Sequence, residues 1–155
     1  MTLRIRFRRA TIMIRRLQKA DIDRVMTLWL DANLKAHGFV PAAYWRSNFE
    51  PVKEMLPQTE VYVYENTGEI RGFVGLSSEY IEGIFVADEM QSQGIGKRLL
   101  DHIKAMKDTL HLNVYQKNTR AIRFYQREGF VIQYEGLDES TGEKEYAMLW
   151  QRRQL

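Results

Sequence analysis

Gln91-Ser92-Gln93-Gly94-Ile95-Gly96-Lys97 lies between two stretches of different periodicity, and its reading decides the fold. Upstream, Ile81 to Val86 is largely apolar and β-branched, as a buried strand is. Downstream, Ile95, Leu99, Leu100, Ile103 and Met106 recur at helical spacing. The stretch is therefore a strand-to-helix turn. The first amides of a helix lack intrahelical partners and sit at the positive end of its dipole, so such a turn receives a phosphate or pyrophosphate. Gly94 and Gly96 suit that use, since a backbone without Cβ approaches an anion closely and tolerates positive φ. Lys97 adds a mobile positive charge. The spacing is not that of the P-loop, which needs Ser or Thr where Arg98 stands, nor of a dinucleotide fingerprint, whose third glycine is replaced by Leu99.

Working outward, Ile12 to Leu17 reads as a short first strand. Asp21 is placed to cap a helix with the stripe Ile22, Val25, Met26, Leu28 and Trp29, which Gly38 ends. A second, shorter helix is expected within Phe39 to Glu54, after Pro41 and closed by Pro57. Val61 to Glu65 and Ile70 to Ser77 flank Asn66-Thr67-Gly68-Glu69 as a hairpin, and Tyr80 to Val86 continues the meander. Beyond the turn and its helix, Leu110 to Tyr115 is a buried strand and Asn118 caps a helix ending at Gly129. Val131 to Glu135 and Glu145 to Trp150 form a closing hairpin around Ser140-Thr141-Gly142.

A chain of 155 residues suits one domain, large enough to bury about two-thirds of its unfolded surface. Hydrophobic residues at 45% with mixed charge argue against disorder. No apolar run approaches the roughly 20 residues that span a bilayer. No segment has the apolar core of a signal peptide, so the default expectation is cytoplasmic. Zero cysteines exclude disulfides, thiolate zinc sites and a cysteine nucleophile, and no metal site is expected. The net charge of +3 comes from the N-terminus, where residues 1–12 hold Arg4, Arg6, Arg8 and Arg9 and no acid. The organisation read here is a basic extension, 1–12, and one domain, 13–155. Met13 is itself a plausible chain start, so the extension is either native or a start placed too early.

Gln91, Gly94 and Gly96 resemble the Gln/Arg-x-x-Gly-x-Gly/Ala signature of the GNAT superfamily of N-acetyltransferases. Asn118-Thr119-Arg120-Ala121, followed by Tyr125 and then Gly129-Phe130, resembles the second half of the same pattern. The two motifs come in the right order, one helix and one strand apart, and the resemblance covers roughly Ile14 to Trp150. It implies a small stand-alone bacterial enzyme, monomer or homodimer. The implied fold is single-domain α/β (α+β), with a mixed, mostly antiparallel sheet of about seven strands flanked by about four helices. It also implies acetyl-CoA as co-substrate and direct transfer, in a ternary complex, to a primary amine of a protein, peptide or small molecule.

By that resemblance the strands Tyr80 to Val86 and Leu110 to Tyr115 splay apart, with the pantetheine arm in the gap. The backbone of Phe85 and Val86 pairs with its amides and polarises the acetyl carbonyl. Gln91, Gln93, Gly94, Gly96 and Lys97 hold the pyrophosphate, and Asn118 the arm near the thiol. An ammonium with a pKa near 10.4 must lose a proton before it attacks, and the departing thiolate benefits from gaining one. Tyr125 matches the position of that acid. Many small relatives carry a Glu base where this chain has Asn113, so Glu82 is the candidate base, directly or through water; its alternative is a solvated strand carboxylate. His37 and Tyr44 either line the acceptor site or are, respectively, a surface histidine and a packing residue. Two other readings stay open: an acyl-CoA-binding module without turnover, motivated by Asn113, and nucleic-acid binding through the arginine tail, with steep salt dependence.

Overall fold

The second strand, Glu60–Asn66 (β2), is apolar or aromatic at every position from Val61 to Tyr64, so both of its faces need cover. The computed structural model, which describes residues 11–91 and 93–153, supplies it from two sets of helices. In chain order the elements are β1 (Ile12–Arg16), α1 (Ile22–Ala36), α2 (Ala42–Ser47), α3 (Phe49–Met55), β2, β3 (Glu69–Ser77) and β4 (Tyr80–Val86). There follow α4 (Ile95–Lys104), β5 (Thr109–Tyr115), α5 (Thr119–Arg127), β6 (Val131–Asp138) and β7 (Glu143–Gln151). The sheet runs β1-β2-β3-β4-β5-β7-β6, and every neighbouring pair is antiparallel except β4 with β5. This is the single α/β domain with a mixed seven-stranded sheet that the motifs imply.

On one face, Tyr62, Tyr64, Val74, Leu76 and Ile81 pack against Ile95, Leu99, Leu100 and Ile103 of α4, with Tyr125, Phe130 and Met148 completing that core. On the other, Val61, Val63 and Phe73 meet Val25, Met26, Leu28 and Trp29 of α1 and Trp45 of α2. Each fully buried side chain of this size contributes about 1.5–3 kcal/mol. Gly72 lets α4 approach β3, since a Cβ there would lie 2.9 Å from the Phe85 carbonyl oxygen and 3.1 Å from Ile95 Cγ2.

The helix expected within Phe39 to Glu54 is two helices, which makes five among the described residues, because Pro51 has no N–H for the Ser47 carbonyl and its ring excludes that oxygen. The chain breaks at Asn48, whose Nδ2 donates to the Tyr44 carbonyl at 2.7 Å. Asp21 does not cap α1 with its side chain. It lies in a short 3-10 turn and points back, accepting from Gln18 N at 2.7 Å and from Arg15 Nη1 at 2.7 Å. The Arg15 hydrogen bonds hold its carboxyl below the ordinary value. Ile12 pairs with Asn66, and the Thr11 carbonyl accepts from Thr67 N at 2.8 Å, so the boundary drawn after residue 12 falls inside the sheet. The arginines of the extension lie outside the described residues. No helix among the described residues is long and apolar enough to cross a membrane.

One irregularity positions the site. β4 and β5 are in parallel register only at Tyr80 and His111, where His111 N donates to the Glu79 carbonyl at 2.9 Å. The β3–β4 register shifts between Gly75 and Leu76, leaving Glu82 as an extra residue on β4 that bends the strand. Toward its C-terminal end β4 therefore departs from β5, and a gap opens in the middle of the sheet.

Candidate active site

A cleft of about 860 Å³ occupies that gap, within the range of small-molecule sites. One wall is Ile84, Phe85 and Val86 of β4. The Phe85 ring turns away into the core and stacks on Phe73 at 4.8 Å, so its main chain is what the cleft meets. Strand amides and carbonyls without a ladder partner are ready to pair with an extended amide-bearing ligand.

The floor is the first turn of α4. Gly94 takes φ +79°, a left-handed conformation that favours glycine, and its carbonyl accepts the first helical hydrogen bond from Arg98 N at 3.0 Å. No side chain caps this helix, so the amides of Ile95, Gly96 and Lys97 have no partner among the described residues. Gly96 does not use positive φ, unlike Gly94. A Cβ there would meet Phe124 at 3.5 Å, an ordinary contact, so the fold itself does not demand glycine at 96.

Lys97 is not a free charge. Its Nζ donates to Asp101 and Glu128, both at 3.2 Å, and these bonds, Glu128 first, raise its pKa. An anion on the turn competes with Glu128 for Lys97. Glu128→Gln is thus expected to tighten acetyl-CoA binding by a few-fold, as measured by titration calorimetry at low salt; unchanged or weaker binding means that Lys97 takes no part in holding the cofactor. Gln91 lines the cleft and accepts from Arg120 Nη1 at 2.6 Å. Gln93 is exposed and does not line it, and nothing is described of Ser92. Lys35, Lys117, Arg120 and Arg127 also border the cleft and give it a cationic rim. The sequence reading missed all four, although Lys117 and Arg120 flank Asn118 in the second motif.

Asn118 caps α5 as expected, its Oδ1 accepting from Ala121 N at 3.2 Å. Its Nδ2 faces His37 Nε2 at 3.1 Å. His37 is part of the cleft wall rather than a surface histidine, stacked on Trp45 at 5.4 Å and edge-on to Tyr115 at 5.0 Å. Burial lowers its pKa to about 4, so it is neutral near pH 7. Tyr44 does not line the cleft but packs edge-on against Trp45 at 4.9 Å.

Tyr125 is 8% exposed, its ring edge-on to Phe124 at 5.1 Å and Phe130 at 5.4 Å. It lines the cleft, and its hydroxyl has no hydrogen-bond partner among the described residues. Burial, and then the nearby Tyr80, push the phenol well above its ordinary pKa, which keeps it a neutral donor.

Glu82 is exposed and does not line the cleft. A second carboxylate, missed in the sequence, stands nearby: Glu145 of β7, whose Oε1 accepts from Asn113 Nδ2 at 3.4 Å. Burial, then Asp138, hold its carboxyl above the ordinary value. Tyr80 senses both acids, since burial first and then Glu82 and Glu145 raise its phenol. Tyr115 Oη donates to Asp138 Oδ2 at 2.6 Å. Glu82, Asp138 and Glu145 thus gather with two phenols around the junction of β4, β5 and β7. Only the pairing of β5 with β7 brings Glu145 beside Asn113, and nothing local in the sequence signals it.

A helix start built to receive an anion, strands parted to admit an extended arm and a neutral phenol at the cleft together define an acyl-transferring enzyme that uses a phosphorylated carrier. Residues 57–132 match the acetyltransferase (GNAT) domain. The peptidyl-lysine N-acetyltransferase YiaC of Escherichia coli K12 is 34% identical over 140 residues, an alignment spanning 89% of this chain and 96% of that protein. This chain belongs to the GNAT acetyltransferases. It is an acetyl-CoA-dependent N-acetyltransferase. The fold is shared with apo YjaB from Escherichia coli, at a TM-score of 0.81 and 23% identity over 92% of this chain and 99% of that one. It is shared too with the PaiA N-acetyltransferase of Thermoplasma acidophilum in complex with coenzyme A, at a TM-score of 0.74 and 18% identity over 91% and 99%.

Proposed function

We propose that the enzyme acetylates lysine side chains of proteins or peptides, acetyl-CoA and acceptor binding together before transfer. The observation that carries this reading is the parted β4–β5 pair, with the uncapped α4 turn lining the cleft between the strands and the carboxylates Glu82, Asp138 and Glu145 close enough to act on Tyr80, outside the cleft lining. The turn suits the pyrophosphate, held by the amides of Gly94 to Lys97 beside Gln91. The Phe85 and Val86 main chain pairs with the pantetheine amides and polarises the acetyl carbonyl, and Asn118 holds the arm near sulfur. These carboxylates favour an acceptor that carries an ammonium and disfavour one that carries an anionic carboxylate or phosphate. The relative named as a peptidyl-lysine N-acetyltransferase supports the same acceptor.

In the reaction, an acceptor with a pKa of roughly 10.4 gives a proton to Glu82 or Glu145, directly or through water. The free amine attacks the acetyl carbon, the C–N bond forms, the C–S bond breaks, and the proton that the nitrogen sheds on becoming an amide ends on the coenzyme A sulfur, which leaves as the thiol. Tyr125 donates its hydroxyl hydrogen bond to the departing sulfur. Its raised pKa makes complete transfer to a thiolate of roughly pKa 8.5 uphill, so its contribution is greatest while charge is building in the transition state.

Incubation of lysine-containing peptides, an N-terminal α-amine peptide and spermidine with acetyl-CoA, followed by mass spectrometry, is expected to yield acetyl-lysine fastest. Acetyl-CoA that binds without any acetylated product would make the chain a binding module instead. The double variant Glu82→Gln/Glu145→Gln is expected to lose about 10²-fold in kcat/KM at pH 7. The deficit should narrow as pH rises, because more acceptor is already neutral. A double variant with the wild-type pH profile rules out both carboxylates as the proton acceptor.

A further inference from the structure

Asn33 and Asn118 reach His37 from two different helices, and each has its second polar atom already committed. Asn33 Nδ2 donates to the Trp29 carbonyl at 2.9 Å, which leaves Oδ1 facing His37 Nδ1 at 3.0 Å. Asn118 Oδ1 accepts from Ala121 N at 3.2 Å, which leaves Nδ2 facing His37 Nε2 at 3.1 Å. An amide oxygen only accepts and an amide nitrogen only donates. The ring therefore carries its proton on Nδ1 and a lone pair on Nε2. The imidazolium would set an N–H against the Asn118 N–H, and reversing Asn118 would cost α5 its cap. Four hydrogen bonds then run in one sense, from Ala121 through Asn118 and His37 to Asn33 and Trp29.

The ring's surroundings favour the neutral form. Trp45 stacks on it, and Tyr115 and Phe39 meet it edge-on at 5.0 and 5.7 Å. Charged groups on the neighbouring elements are turned elsewhere: Lys35 to Asp88, Lys117 to Glu143 and the Phe39 ring, and the Tyr115 hydroxyl to Asp138. Asn118 Nδ2 has a second hydrogen and Oδ1 a second lone pair, and the α5 cap and His37 together fix which way they point.

We propose that His37 is a positioning residue for the cofactor arm, holding the Asn118 amide in one orientation as its neutral Nδ1–H tautomer and joining α1 to the start of α5 across the cleft. It neither binds the acceptor nor moves a proton. The proposal rests on the reading that Asn118 holds the arm of acetyl-CoA, and the experiment separates the two.

In ¹⁵N-labelled full-length protein, His37 Nε2, assigned by its disappearance in His37→Phe or His37→Gln, is expected to show the shift of an unprotonated ring nitrogen and no titration between about pH 5.5 and 9. Asn118→Asp keeps the capping oxygen but puts an acceptor against Nε2, so His37 should now take a second proton and titrate above its ordinary value. A wild-type His37 protonated on Nε2, or titrating near pH 6.5, overturns the relay. Calorimetry with acetyl-CoA should find His37→Phe and Asn118→Ala each weaker by about 3- to 10-fold, with the double variant no weaker than Asn118→Ala. In steady-state assays the loss in both variants should include a raised KM for acetyl-CoA. If the relay is present but Asn118→Ala binds as the wild type does, the reading of Asn118 fails and the positioning role with it. If Asn118→Ala is weaker but His37→Phe is not, the coupling alone fails. His37→Leu, which likewise offers Asn118 Nδ2 no acceptor, repeats the binding measurement should His37→Phe not fold.

Discussion

Tyr125→Phe is expected to lose about 10²- to 10⁴-fold in kcat, the usual contribution of a positioned proton donor. Folding should barely change. The ring keeps its contacts with Phe124 and Phe130, and the hydroxyl that is removed has no partner to strand among the described residues. Acetyl-CoA affinity should also hold, because an interaction with the departing sulfur is made mainly in the transition state. A kcat within about threefold of wild type, where chemistry limits the rate, would falsify the role and leave Tyr125 as packing. The sign of the pH dependence gives an independent check. An ordinary phenol begins to ionise near pH 9, and an ionised Tyr125 cannot donate. Burial moves that ionisation upward, so wild-type kcat should show no Tyr125-dependent fall as pH rises to about 10. A fall between about pH 8 and 9.5 that vanishes in Tyr125→Phe contradicts the buried, neutral donor.

Gly96→Glu is expected to abolish measurable acetyl-CoA binding while leaving the fold intact. The added Cβ meets Phe124 at 3.5 Å, which the wall accommodates, and position 96 does not need positive φ. What changes is charge. A carboxylate about 4 Å from a phosphate at an effective dielectric constant near 20 costs about 4 kcal/mol per unit charge, or roughly a thousandfold in affinity. Gly96→Ala and Gly96→Gln separate the steric part from the electrostatic part. The alanine variant should fold and bind within about tenfold of wild type, and only the Glu variant should regain affinity as salt rises. If Gly96→Glu binds as tightly as Gly96→Gln, the start of α4 is not where the pyrophosphate lies.

Much of this is legible in the sequence. The change from apolar strand to helical stripe around Gly94 located the turn because strand and helix have different periods and the switch needs a residue free of Cβ. The same local chemistry named the Thr67-Gly68 hairpin, the Asn118 cap and the helix end at Gly129, where Phe130 N donates to the Tyr125 carbonyl at 2.9 Å. These features depend on residues within a few positions of one another. Pro51 is legible in the same way, since a residue without an N–H for the Ser47 carbonyl divides one expected helix into α2 and α3.

Asp21 shows where local chemistry stops. As a candidate cap it looked sufficient by itself, but Arg15 on β1 lies within reach only in the folded chain and draws its carboxylate back toward the strand. By itself the sequence determined the order of the strands and of the helices other than the α2–α3 break, the strand-to-helix turn at Gly94 and the cap at Asn118, because each is written in neighbouring residues. The tertiary structure alone decided the site's electrostatics and its hydrogen-bond directions. Lys97 is bound by Glu128, 31 residues away, Asn113 is met by Glu145, 32 away, and His37 is held by Asn118, 81 away. Such pairs depend on strand register and on how helices pack across the sheet, and those are set by the burial of the whole core rather than by any stretch that can be read in isolation.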